Sequence, residues 1–178
     1  MRPSIIVIIA LFLLNLSITQ VESKSSAAKN KRPMESRLDL NNDGLKEIVK
    51  IEDKFDTDQE FIITVMKQNK DEIDSFLIPG RFKKIEFIDL DGNGDKQIAI
   101  RYKDEIDYEN LVIYKLKDES LFKIFSIGSA YGIDTEFNST LPRIKVGRSR
   151  CTQKNCYAGD VPDWEVWVWG GEKFIKER

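Results

Sequence analysis

The sequence predicts an all-β fold of about three blade-like, four-stranded antiparallel units, arranged as a partial β-propeller or an open stack of small sheets. Two observations carry this. From Leu38 onward, short runs rich in Ile, Val, Phe, Tyr and Trp alternate with polar turns, which is the pattern of consecutive strands. An acidic, glycine-bearing stretch, "LDLNNDGLKEIVKIED" at 38–53, also returns as "IDLDGNGDKQIAIRYK" at 88–103. That offset leaves room for about four strands per period, the size of one propeller blade.

The amino-terminal part is read separately. A short positive start, Met1 and Arg2, precedes an almost wholly apolar run over 5–16 and a polar flank over 19–26, the layout of a secretory signal peptide. Val21 and Ser23 suit the small-residue cleavage positions, so residues 1–23 are expected to be removed. The apolar run is shorter than the roughly 20 residues of a spanning helix, so no stable membrane span is expected after cleavage. With no cysteine near the boundary, lipid attachment there is excluded. The product is expected in the periplasm or outside the cell. Residues 24–37, rich in Ser, Lys and Asn, read as a disordered leader. The repeat domain then occupies 38–178, with units at about 38–80, 81–128 and 129–178.

Within that domain the predicted strands follow in order. They are "KEIVKI" at 46–51, "EFIITVM" at 60–66, "DSFLI" at 74–78, "KKIEFIDL" at 83–90, "KQIAIRY" at 96–102, "NLVIYKL" at 110–116, "LFKIFSI" at 121–127, "RIKVGR" at 143–148 and "WEVWVW" at 164–169. Polar turns separate them, such as "QNKD" at 68–71, "KDES" at 117–120 and the hairpin signal Gly170–Gly171. Several strands are apolar on both faces. In "WEVWVW", Trp164, Val166 and Val168 point one way while Trp167 and Trp169 point the other, so this sheet needs neighbours on both sides, or else Trp167 and Trp169 form an exposed aromatic patch.

The two repeated loops carry the chemistry. Asp39, Asn41, Asp43, the Leu45 carbonyl and Glu47 occupy positions 1, 3, 5, 7 and 9 of a loop whose sixth residue, Gly44, permits a sharp turn. Asp89, Asp91, Asn93, the Asp95 carbonyl and Gln97 repeat the spacing around Gly94. Alternating oxygen donors of this kind suit a hard cation, and calcium, with six to eight flexible oxygen ligands, fits better than magnesium. One or two calcium ions are expected. Loop one has more candidate carboxylate ligands, Asp39, Asp43 and Glu47, so loop two is the weaker site. Asp and Asn beside Gly are also plain turn formers, and empty loops are the competing reading. An EF-hand is rejected, because its twelfth position needs Glu where this chain has Lys50 and Ile100.

On these residues the loops, with the strands that follow them, resemble the FG-GAP and VCBS calcium-binding repeats of integrin-like β-propellers and many exported bacterial proteins. The ninth position of such repeats is usually Asp, so Glu47 and Gln97 depart from the pattern. The resemblance implies calcium as a structural ion and an interaction or scaffold role. The third unit keeps Asp134 and Asn138 but lacks the alternate spacing and the glycine, as terminal repeats often do.

Cys151 and Cys156, exported together, are expected to form a local disulfide. Two sulfurs without histidine do not make a zinc site. The balance of 28 Lys and Arg against 30 Asp and Glu gives no basic face, so nucleic acid is not an expected partner. No histidine is present for a triad and no phosphate loop follows a strand, so no enzyme is expected. The function expected is an exported, calcium-stabilised binding or scaffold module whose partner is an unknown protein or glycan, with oligomerisation possible. The alternatives are a secreted carboxylate-based hydrolase or a structural accessory with empty loops.

Overall fold

The computed structural model describes residues 34–54, 59–104, 108–148 and 162–177. They form twelve strands in three four-stranded sheets. Sheet one comprises β1 (Met34–Leu38), β2 (Glu47–Asp53), β3 (Glu60–Met66) and β4 (Glu72–Pro79). Sheet two comprises β5 (Arg81–Ile88), β6 (Gln97–Lys103), β7 (Glu109–Lys117) and β8 (Ser120–Ser129). Sheet three comprises β9 (Ile133–Glu136), β10 (Arg143–Arg148), β11 (Asp163–Trp169) and β12 (Phe174–Lys176). Every sheet is an antiparallel meander in chain order, so the expected all-β class and the three four-stranded units are both present.

Two elements differ from the sequence reading. Residues 34–37, expected in a disordered leader, belong to β1, which pairs with β2 from Met34↔Ile51 to Leu38↔Glu47. This strand is mostly exposed and polar, so it has no apolar alternation to betray it; its ladder to a buried neighbour holds it. The short strand β9 was also unmarked, having only Ile133 buried.

The sheets stack with sheet two in the middle. Val49, Ile51, Phe61, Ile63 and Val65 of sheet one meet Ile98, Ile100, Val112 and Leu116 of sheet two in a first core. Ala99, Leu111 and Ile113, on the other face of sheet two, meet Ile133, Ile144, Val146, Trp169 and Phe174 of sheet three in a second. The continuous burial of β6 across Gln97–Ile100 follows from this position, since each face has its own partner. Trp167 and Trp169 pack inward against Phe125 and Phe174, so the exposed tryptophan is Trp164, at 49% accessibility.

The outer faces are different. Lys50, one repeat before the buried Ile100, forms an ion pair with Glu52 at 2.8 Å, and beside it Thr64 and Ser75 share a hydroxyl hydrogen bond at 3.1 Å. On sheet three, Lys145 follows the core residue Ile144 and pairs with Glu136. Both outer faces are mixed, these polar residues standing beside the exposed Leu77 on sheet one and Trp164 and Ile175 on sheet three. No helix long and apolar enough to cross a membrane occurs among the described residues.

Two candidate cation loops

The loop between β1 and β2 and the loop between β5 and β6 fold alike. Asp39 Oδ1 accepts from the Asp43 amide at 3.2 Å and Oδ2 from the Gly44 amide at 2.8 Å. Asp89 repeats this with Asn93 at 3.2 Å and Gly94 at 2.9 Å. Gly44 and Gly94 have φ of +86° and +98°, the left-handed region a side chain resists, which is why both loops carry glycine there. The second residue of each loop is the anchor: Leu40 is buried in the first core and Leu90 in the second.

The ninth residues take a role the spacing did not reveal. Glu47 is 5% exposed and Gln97 1% exposed. Glu47 Oε2 accepts from the Leu40 amide at 2.8 Å, and Gln97 Oε1 from the Leu90 amide at 2.9 Å. Each is a strut that satisfies the backbone donor of the buried anchor. Burial pushes the Glu47 carboxyl above its ordinary value; the Leu40 amide and its own amide oppose this, while the charges of Asp43 and Asp39 add to it. Gln97 spans the loop with no charge, its Nε2 donating to the Asp95 carbonyl at 3.2 Å.

The remaining donors separate the two loops. In loop one, Asp43 Oδ1 accepts from the Leu45 amide at 2.7 Å and Oδ2 from Asn41 Nδ2 at 2.8 Å. Among the described residues, neither Asp39 nor Asp43 has a Lys or Arg within ion-pair distance. In loop two, Lys96 Nζ lies 3.5 Å from Asp89 Oδ2, and Lys115 Nζ lies 3.6 Å from Asp91 Oδ2 and 3.5 Å from Asp95 Oδ2. Trp169 Nε1 donates to Asp91 Oδ1 at 2.7 Å. Burial pushes Asp89 up, but the Gly94 amide, the Lys96 ammonium and the Gly92 amide outweigh it and hold its carboxyl below the usual range.

The loops also touch each other. Lys96 donates its amide to the Leu40 carbonyl at 2.8 Å, and Asn42 Nδ2 donates to the Asn93 carbonyl at 3.1 Å. Beside loop one an open pocket of about 360 Å³ is lined by Asn41, Asp43, Leu45 and Glu47 and by the turns around Asn69 and Asp118. Lys67, on its wall, is held by Glu119 at 2.5 Å.

No family model matches the chain, and no curated protein matches it. Among solved structures it is similar to PliI-Ah, a periplasmic inhibitor of I-type lysozyme from Aeromonas hydrophyla, at 16% identity and a TM-score of 0.43, covering 53% of this chain and 87% of that one. It is also similar to an acylaminoacyl peptidase of Pyrococcus horikoshii, at 16% identity and a TM-score of 0.37, covering 80% of this chain and 25% of that one.

These findings correct the labels suggested by the resemblance. Neither a family model nor a relative supports FG-GAP, VCBS or propeller as a family name, and none lends the chain a calcium- or metal-binding relative. No disulfide is found among the described residues, and the pair expected to form one, Cys151 and Cys156, lies outside them. No group of three or more His, Cys, Asp or Glu side chains is gathered to hold a metal among the described residues. The donor chemistry of loop one nonetheless fits a hard cation: the carboxylates of Asp39 and Asp43, the Asn41 amide and the Leu45 carbonyl are all oxygen donors on one short turn. Lys96, Lys115 and Trp169, the partners of loop two, were not legible beforehand. Lys115 and Trp169 come from other strands, and only the fold brings them to Asp91.

Proposed function

We propose that the chain is an exported, calcium-stabilised β-repeat domain that acts as a binding or scaffold module in the cell envelope or outside the cell. One observation supports the ion. Asp39 and Asp43 sit on one loop with no cationic side chain to offset them among the described residues, and the Asp43 end of that loop opens onto the pocket. Paired carboxylates without a counter-charge repel one another, and a divalent ion relieves this while stabilising the folded state that binds it. Asp39, Asn41, Asp43 and the Leu45 carbonyl would hold the ion. Glu47 would support them by fixing Leu40. The module binds rather than catalyses, and its partner is a protein or a glycan.

Calorimetric titration with calcium tests this, beside the pairs Asp39→Ala with Asp43→Ala and Asp89→Ala with Asp91→Ala. Binding heat that disappears with the first pair supports the proposal. Absence of both heat and thermal stabilisation at millimolar calcium overturns it.

A further inference from the structure

Loops one and two are built alike, yet their surroundings hold two lysines in different states. Ile48 of β2 pairs with Met66, and its repeat equivalent, Ile98 of β6, pairs with Tyr114. Lys67 and Lys115 are the next residues along the chain and are therefore equivalent. Both follow a register irregularity at the same place, Val65/Met66 in β3 and Ile113/Tyr114 in β7. A bulge re-aims the side chains beyond it. In sheet two the re-aimed lysine reaches back to its own loop, within 3.6 Å of Asp91 and 3.5 Å of Asp95. In sheet one it lines the pocket beside Asn41 and Asp43 but bonds to Glu119, which lies on the β7–β8 turn of the neighbouring sheet.

We infer that Lys115, on Asp91 and Asp95 beside the Lys96 already on Asp89, is the lysine that excludes a divalent ion from loop two, and that Lys67 is the corresponding competitor for loop one, held aside by Glu119. The assignment of loop one rests on the calcium reading above; that of loop two does not. An ammonium against two carboxylates supplies the counter-charge a metal would bring and repels a second cation close by. The Trp169 indole, donating to Asp91, occupies another lone pair of the same acid. Loop one has neither the Lys96 nor the Trp169 contact, and its equivalent lysine is turned away from it. Glu119 is 72% exposed and Lys67 43%, so their pair is of the weak, solvent-screened kind, and the lysine remains able to return. Glu119 is therefore a specificity-determining residue for a loop on a different sheet.

The test is calcium stoichiometry and affinity by calorimetry on the full chain, with tryptophan-sensitised terbium emission as a second readout, since Trp169 touches loop two. Thermal melts confirm that each variant folds. The wild-type chain is expected to bind one ion. Lys115→Met, alone or with Gln97→Glu to free the Asp95 carbonyl, is expected to gain a second ion and new terbium emission. Glu119→Gln is expected to weaken the first site about twofold to fivefold, the scale of an exposed ion pair, and adding Lys67→Met is expected to restore it. Two ions in the wild-type chain, or no gain in either Lys115 variant, overturns the assignment of loop two. An unchanged affinity in Glu119→Gln overturns that of Lys67. If the wild-type chain binds nothing while a Lys115 variant binds one ion, the calcium reading of loop one fails and the role of Lys115 stands.

Discussion

Glu47 and Gln97 show how one position serves two loops with different chemistry. Both place an oxygen on the amide of a buried leucine, and this bond needs an acceptor rather than a charge. Glu47→Ala and Gln97→Ala each leave a buried N–H without a partner and are expected to cost about 1–3 kcal/mol, read from urea denaturation. Glu47→Gln keeps the acceptor, as Gln97 does, and is expected to cost less than the alanine change in the metal-free chain. The spacing of Asp39, Asn41, Asp43 and Gly44 was legible because those residues act within their own loop. The ninth position was not, because its role depends on Leu40 and Leu90 sinking into cores built by other strands.

At the scale of the strands, the joint between sheets one and two is a single residue. Gly80 lies between β4 and β5 with φ of +125°, and a Cβ there would strike the Lys103 carbonyl and the Tyr102 ring. Gly80→Ala combines strained backbone with backbone contact, and a loss of about 2–4 kcal/mol is expected by denaturant unfolding. In sheet three, Glu165 of β11 binds β12 through Lys176 at 2.7 Å and β10 through Arg148 at 3.2 Å. The bond from Lys176 leads in holding the Glu165 carboxyl below its ordinary value; burial opposes it, and Arg148 adds to it. A depressed acid contributes stability above its unfolded pKa and loses it as pH falls through the folded one. The wild-type chain is therefore expected to lose stability into the acid range more steeply than Glu165→Gln, measured by thermal melts across that range. The alternating strands of these sheets were readable in advance, since burial on a pleat leaves a period of two. The edge strands β1 and β9 were not, because pairing rather than burial holds them.

For the whole molecule, the middle sheet decides cooperativity. Ile100 completes the first core and Ile113 the second, and both are fully buried. Either isoleucine to alanine is expected to cost about 2–5 kcal/mol in urea unfolding, and both are expected to lower a single shared transition because sheet two belongs to each core. The three-unit organisation was visible from the repeat, but which faces end the stack was not, since Lys50 and Lys145 share those faces with apolar residues such as Leu77, Trp164 and Ile175. The two cores also differ in when they can exist. The buried residues of the first run from Leu40 to Leu116, whereas the second waits for Trp169 and Phe174. A chain emerging from its amino terminus can therefore close its first core while its last third is still being made. One face of sheet two then stays apolar and open until β11 and β12 arrive, and this interval is when the chain is most exposed to aggregation.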